Sequence, residues 1–85
     1  MPVISRFLGI AITMVYNDHL PPHFHAKYGE FEISVRISNG DVDGAFPPRS
    51  LKHVLKWRKL HATELLENWT RARSGQPLNP IAPLE

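Results

Sequence analysis

The 85-residue chain contains no cysteine and no long uninterrupted hydrophobic run. Without cysteine, neither a disulfide nor a thiolate–metal site can reinforce the fold, so a secreted domain that depends on disulfides is excluded. The apolar start, from Val3 to Tyr16, is interrupted by Arg6 and Gly9 and has no small-residue cleavage site. Because it is too short to span a bilayer, it predicts buried strand rather than a signal peptide, and we expect a cytoplasmic protein without membrane contact.

The chain is also not strongly charged overall, because its formal net charge is only +2. The charges are unevenly placed: residues 1–46 carry three basic and five acidic side chains, whereas residues 47–85 carry seven basic and three acidic ones. Such a concentration of basic residues usually indicates a solvated helix. The alternative is a surface that binds RNA or DNA. The candidate contacts for phosphate on that surface are Arg49, Lys52 and Lys56.

Alternation of apolar and polar residues predicts an antiparallel meander in the first half of the chain. Gly9 to Tyr16 alternates as a buried strand does, and two further strands flank Gly29. Gly29-Glu30 suits a two-residue type II′ turn, whose first position needs a positive φ. That turn fixes five pairs: Tyr28 with Phe31, Lys27 with Glu32, Ala26 with Ile33, His25 with Ser34, and His23 with Arg36. Asn39-Gly40, a favoured type I′ sequence, predicts Ile37 opposite Val42 and Arg36 opposite Asp43.

A helix is predicted over residues 48–73, after Pro47-Pro48 and before Gly75. A helical wheel gives it one apolar face: Leu51, Val54, Leu55, His61, Ala62, Leu65, Leu66 and Trp69, with Trp57 at the edge. Arg58 falls inside that face, so either the helix breaks there or Arg58 reaches over the edge or meets an acid. Residues 75–85 have proline and aliphatic residues at period three, which predicts an extended tail that packs on its own core rather than on a partner or a second copy.

The predicted architecture is therefore a single α+β domain, residues 1–85. A three- or four-stranded antiparallel meander in residues 1–46 packs on one long helix, and the proline-rich tail follows.

Three of the five histidines lie within seven positions in the segment DHLPPHFHAKYGE, residues 18–30. Histidine can exchange a proton near neutral pH and can ligate a metal. His23 and His25 are two apart on a predicted strand, so their rings leave the same face, with α-carbons roughly 7 Å apart. We expect both imidazoles to point into solvent, away from the apolar layer. Asp18 either orders the preceding turn or orients a histidine.

These residues resemble a family. The run from Gly9 through DHLPPHFHAKYGE, the corner at residues 44–47, Trp57 with His61, Trp69 and the closing prolines are similar to the small bacterial proteins catalogued as domain of unknown function 4160. The residues that match the family pattern are Asp18, His19, His23, His25, Trp57 and His61. The resemblance implies no settled activity. It implies a gene neighbour, a second small domain of unknown function numbered 2442, and hence a two-protein module like a toxin–antitoxin pair.

Three hypotheses of different classes follow for the histidine-rich loop. A binding component of such a module would present the loop and the polar strand face to a protein, to a nucleic acid or to a second copy of the chain as a homodimer. Its recognition surface would contain Asp18, Arg36 and His61 beside the basic residues Arg49, Lys52 and Lys56. A metal-independent endoribonuclease would use His19, His23 or His25 as acid and base, and Lys27 or Arg36 as the cation for phosphate. No cofactor is predicted unless His23 and His25 present their rings to zinc or another divalent metal.

Overall fold

The computed structural model describes residues 2–84, so Met1 and Glu85, the two ends of the predicted domain, lie outside the described residues. Five strands and one helix follow one another along the chain: β1 (Val3–Phe7), β2 (Ile10–Thr13), β3 (His23–Tyr28), β4 (Phe31–Arg36), β5 (Val42–Asp43) and α1 (Pro48–Arg73). The strands form one antiparallel sheet in the order β1-β2-β3-β4-β5. The protein is therefore an α+β fold with a meander sheet and one long helix, as predicted.

The sheet has one strand more than expected because the apolar start folds into a hairpin. Leu8 and Gly9 both have positive φ, 51° and 79°, as a type I′ turn requires. Arg6 then pairs with Ala11, and Phe7 with Ile10. The predicted strand from Gly9 to Tyr16 contains β2 but extends beyond it at both ends. Strand β1 was missed because leucine gives no signal for positive φ and concealed the turn.

The register of β3 and β4 is the one predicted. All five pairs from Tyr28–Phe31 to His23–Arg36 are present. Gly29 supplies the positive φ of the turn, 57°. Since side chains alternate along a strand, Phe24 and Ala26 lie on one face and are fully buried. His23 and His25 therefore lie together on the opposite face.

The register of β4 and β5 corrects the prediction by two residues. Val35 pairs with Val42, and Ser34 pairs with Asp43. The connection is longer than two residues because the Asn39 side chain accepts a bond from the Asp41 backbone N–H (3.0 Å) and the Gly40 N–H donates to the Arg36 carbonyl (2.9 Å). A shift of two residues leaves every side chain on its predicted face.

Helix α1 packs on the apolar face of the sheet through Trp57. Its ring centroid lies 5.4 Å from that of Phe7 and 5.7 Å from that of Phe24. Trp57 is fully buried, whereas the wheel placed it at the edge, and Leu66 is exposed. The reason is a kink at His61 (φ −123°, ψ 22°), which rotates the second half of the helix relative to the first. No helix of the described residues is both long and apolar enough to cross a membrane.

Arg58 reaches over the helix edge instead of breaking the helix or meeting an acid. Its Nη1 donates to the Ile37 carbonyl at 2.7 Å. This bond occupies a carbonyl just beyond β4 and ties the β4–β5 turn to the helix. The guanidinium thus satisfies a backbone acceptor at the margin of the core, where an unmatched carbonyl would be costly.

The tail packs on its own domain, as expected. Ile81 is buried, and its N–H donates to the Ile4 carbonyl at 2.8 Å. The indole N–H of Trp57 donates to the Ala82 carbonyl at 2.9 Å. The buried Asn68 side chain binds both the N–H and the carbonyl of Asn79, each at 2.8 Å. The tail therefore covers one edge of the core, which is small in a chain of this length.

Candidate metal centre at the histidine corner

The loop between β2 and β3 is held against the end of helix α1. The Asn17 N–H donates to the Ala72 carbonyl at 3.3 Å. Asn17 has a positive φ of 55°, which asparagine tolerates better than most residues. These features direct the next residue, Asp18, back over the start of β3, where its carboxylate meets the strand histidines.

His23 has an oxygen acceptor at each ring nitrogen. Nδ1 lies 2.8 Å from the Pro21 carbonyl, and Nε2 lies 2.9 Å from Oδ2 of Asp18. A neutral imidazole has only one N–H, so one of its two ring nitrogens would direct a lone pair at an oxygen acceptor. Such a contact is favourable only if a cation, either a proton or a metal ion, lies between the two atoms.

His25 points its Nε2 at the same carboxylate oxygen without bonding to it. The distance to Oδ2 of Asp18 is 3.7 Å, and this nitrogen is buried with no hydrogen-bond partner. Its Nδ1 faces Oε2 of Glu32 at 3.8 Å. A buried polar atom without a partner is costly, so a further group between His25 and Asp18 would stabilise the arrangement.

One ligand atom from each of Asp18, His23 and His25 lies within 4.8 Å of the others. Tetrahedral coordination with bonds of about 2.0 to 2.1 Å separates neighbouring ligand atoms by ~3.3 Å. The two distances from Oδ2 of Asp18, 2.9 Å to His23 and 3.7 Å to His25, lie on either side of that value. The three side chains therefore fit a divalent ion with only small adjustments. We call this group the histidine corner.

The carboxyl group of Asp18 is held in its ionised form. Burial raises its pKa, but the His19 backbone N–H, which donates to Oδ1 at 2.8 Å, and the neighbouring His23 and His19 imidazoles lower it. The net result is a pKa below the ordinary value. An ionised carboxylate is the form that binds a metal cation.

The structure brings only some of the other predicted residues to the corner. His19 has Nδ1 2.9 Å from Oδ1 of Asp18, and its side chain is 85% exposed. Lys27 pairs instead with Glu32, with Nζ 3.8 Å from Oε1. Arg36 lines a cleft of about 340 Å³ together with His19 and His23. The corner thus opens beside a cleft whose charged lining is one arginine and two aspartates, Asp41 and Asp43.

The remaining predicted binding residues lie elsewhere. His61 contacts its own helix: its Nδ1 is 2.6 Å from Oε1 of Glu64, and its ring lies 5.4 Å from Trp57. Arg49, Lys52 and Lys56 are exposed on helix α1. His61 is therefore a structural histidine of the helix kink, separate from the histidine corner.

The expected exposure of the two strand imidazoles needs a correction. The His23 and His25 side chains share a face, as predicted, but they are only 12% and 20% exposed. Trp69, assigned from the sequence to the core alone, covers His23: the two ring centroids lie 5.3 Å apart. Glu32 was also overlooked as a site residue. The predicted register already placed it diagonally opposite His25 and could have revealed it.

Comparison with known proteins gives one match. The family model described as Domain of unknown function (DUF4160) matches residues 9–70, which include the histidine corner and most of helix α1. No curated protein matches the chain. No solved structure matches it either.

Proposed function

The chain belongs to the family of domain of unknown function 4160, and we propose that it binds one divalent transition-metal ion at Asp18, His23 and His25. The observation that carries the proposal is the convergence of two imidazole nitrogens on one carboxylate oxygen, at 2.9 and 3.7 Å. One proton can bridge only one of these pairs. A metal ion would satisfy all three atoms together.

The outer contacts of both histidines support the proposal. Histidines that ligate metals usually donate their other ring N–H to a carbonyl or carboxylate, which fixes the tautomer and the ring orientation. Nδ1 of His23 has the Pro21 carbonyl at 2.8 Å, whereas Nδ1 of His25 faces the carboxylate of Glu32 at 3.8 Å, beyond hydrogen-bond distance. Both Nε2 atoms point at Oδ2 of Asp18, where the ion would lie.

The ligand set selects the class of metal. Two imidazoles and one carboxylate suit zinc, and also iron, cobalt or nickel, whereas calcium and magnesium need more oxygen ligands. Three protein ligands with a fourth position open are typical of catalytic rather than structural zinc sites. When bound, such an ion supplies Lewis-acid chemistry to a ligand in the neighbouring cleft.

The other two hypotheses gain less support from the geometry. A metal-independent ribonuclease needs a histidine nitrogen that substrate can reach. Both nitrogens of His23 already contact protein oxygens and Nε2 of His25 is buried, which leaves the exposed His19. The acid–base pair stays a prediction. The two-protein module, with a partner encoded by a neighbouring gene, likewise stays a prediction from family resemblance.

A cobalt titration tests the proposal. Tag-free protein, stripped with EDTA and dialysed, is titrated with Co²⁺ and then competed with Zn²⁺. We expect one equivalent to bind per chain, with visible absorption bands of a low-coordinate nitrogen–oxygen site that zinc abolishes. Asp18→Asn removes the charged ligand, so its affinity is expected to fall by ~100-fold or more, beyond the usual loss for an outer-shell partner.

His53→Ala is the matched control, because it removes a histidine of helix α1 that lies outside the corner. It is expected to bind the metal as the wild type does. Sub-stoichiometric binding by the wild type, or equal losses in Asp18→Asn and His53→Ala, would count against the site.

A further inference from the structure

A second opening, on the side of helix α1, carries only positive charge. We call it the helix groove: a concavity of about 500 Å³ between the helix and the β4–β5 turn. Its polar walls are Asn39, Gly40, Lys52, Lys56, Arg58 and Lys59. None of the side chains that line it is acidic. Four cations therefore surround a space that no carboxylate of its own walls neutralises.

The three lysines form a ridge along the groove. They are exposed, and they are spaced by four and three residues, so they share one helical face. At 1.5 Å per residue the ridge from Lys52 to Lys59 is roughly 10 Å long. Among the described residues, none of the three lies within 4.0 Å of a carboxylate in an ion pair. These charges are available to a ligand.

Arg58 is fixed at the inner wall of the groove. Its Nη1 donates to the Ile37 carbonyl at 2.7 Å, and its Nε is buried without a hydrogen-bond partner. Gly40 allows the turn to approach, because a Cβ at that position would lie 3.0 Å from Nε. An immobilised guanidinium places a fixed positive charge at the inner wall and loses little side-chain entropy when an anion binds.

We propose that the helix groove binds the phosphodiester backbone of a nucleic acid, a property independent of the metal proposal. Phosphates follow one another along each strand of a duplex at about 3.4 Å of axis, so a cationic ridge of roughly 10 Å can face several of them. No aromatic side chain lines the groove. Contacts to phosphate without base stacking position the backbone and carry little sequence preference.

An acidic protein segment is the competing occupant, and the groove fits it less well. Protein interfaces rely on buried apolar or aromatic anchors, and the only aliphatic side chain of the lining is Leu55. Four cationic side chains beside a single aliphatic one favour a flexible polyanion of regular charge spacing. The proposal therefore commits to nucleic acid.

Fluorescence anisotropy measures the binding. Full-length protein with EDTA present is titrated against a labelled 24-base-pair DNA duplex, a 24-nucleotide RNA and an oligo-glutamate peptide, from 50 to 200 mM salt. We expect both nucleic acids to bind more tightly than the peptide, with affinity falling steeply as salt rises. In Lys52→Gln/Lys56→Gln the affinity is expected to fall at least tenfold. For the duplex, the slope of log binding constant against log salt concentration is expected to become shallower by about 1.8 in this variant. That is about 0.9 for each phosphate that a lysine no longer neutralises.

Arg6→Gln/Arg73→Gln is the matched control, because it removes the same charge from exposed residues outside the helix groove. It is expected to bind within twofold of the wild type. The proposal is overturned by equal losses in the two double variants, by tighter binding of oligo-glutamate, or by no binding of either nucleic acid at 50 mM salt. If His25→Ala still binds nucleic acid, the helix groove acts independently of the metal site. If His25→Ala loses binding, that independence is overturned.

Discussion

Two histidine–carboxylate pairs in this molecule have similar local chemistry and different surroundings. His23 and Asp18 meet at 2.9 Å in the histidine corner, where both side chains are shielded, 12% and 16% exposed. His61 and Glu64 meet at 2.6 Å on helix α1, where Glu64 is 52% exposed. The helical pair is complete in itself, because one shared proton satisfies both the imidazole nitrogen and the carboxylate oxygen. The corner is incomplete, because Nε2 of His25 is directed at the same carboxylate and has no hydrogen-bond partner.

The difference teaches that a short histidine–carboxylate contact does not by itself make a functional site. A pair three residues apart on a helix surface forms from helix geometry alone and is worth only a few tenths of a kcal/mol. Convergence of a third ligand atom from another position requires the sheet register and the loop to cooperate. The predictions below use the helical pair as the internal reference for the corner, from the largest expected effect to the smallest.

Zinc should stabilise the protein through the corner and not through the helical pair. At free zinc 100 times the dissociation constant, the linkage relation gives about 2.7 kcal/mol. For a chain of this size that raises Tm by roughly 10 °C or more. His25→Ala is expected to lose the shift and His61→Ala to retain it, as differential scanning fluorimetry with and without EDTA would measure. Loss of the shift in both variants would erase the contrast between the two pairs.

Replacing Glu32, beside the corner, should weaken metal binding, whereas replacing Glu64, on the helix, should not. Glu32 lies 3.8 Å from His25 Nδ1, close enough to accept its N–H after a small adjustment. Glu32→Gln is expected to weaken zinc binding about tenfold, the low end for such partners, or about 1.4 kcal/mol. Glu64→Gln should leave the zinc affinity unchanged, and competition with a chromophoric chelator compares the two. If both substitutions have the same effect, the role of Glu32 is only to contribute overall charge.

Without metal, the corner should impose a pH dependence on stability under acid conditions. The pKa of Asp18 is lowered in the folded protein, so the folded state binds its proton less readily than the unfolded state does. Its stabilisation is therefore fully present above the unfolded pKa of about 3.9 and is lost as the pH falls through the lower folded pKa. Urea unfolding between pH 5 and 2.5 should show a shallower decline for Asp18→Asn than for the wild type. Parallel curves would show that the carboxyl group gains nothing from its neighbours.

The smallest effect is expected for the helical pair itself. Glu64→Gln removes the charge of the i,i+3 pair and should cost about 0.2 to 0.5 kcal/mol of unfolding free energy at pH 6. High salt should reduce this loss further, because the carboxylate is half exposed and screened. Urea unfolding at low and high salt measures it. A loss above 1 kcal/mol would mean that His61 and Glu64 hold the helix kink together.

The sequence predicted the β3–β4 hairpin correctly because the turn itself contains the information. Gly29 both permits positive φ and fixes a two-residue loop, so every pair follows by counting. The β4–β5 turn contains a favoured Asn39-Gly40 sequence too, but the Asp41 N–H bonds to the Asn39 side chain and the Gly40 N–H bonds to the Arg36 carbonyl, which lengthens the loop. The dipeptide alone does not distinguish this longer loop from a two-residue turn. The prediction therefore erred by two residues and still kept the faces.

For the site, the sequence predicted which face the histidines share but not what surrounds them. His-x-His on a strand guarantees a common face, whatever the tertiary structure. The approach of Asp18 depends on the Asn17–Ala72 bond to the end of helix α1, and the shielding of His23 depends on Trp69 beyond the helix kink. These are consequences of helix packing, which a helical wheel for a straight helix misplaces.

Anomalous diffraction at the zinc edge, from crystals of the zinc-loaded protein, tests the central claim most directly. The account predicts one peak per chain, about 2.0 to 2.2 Å from a carboxylate oxygen of Asp18 and from Nε2 of both His23 and His25. A peak at His61 and Glu64 instead, or none within bonding distance of His25, would contradict it.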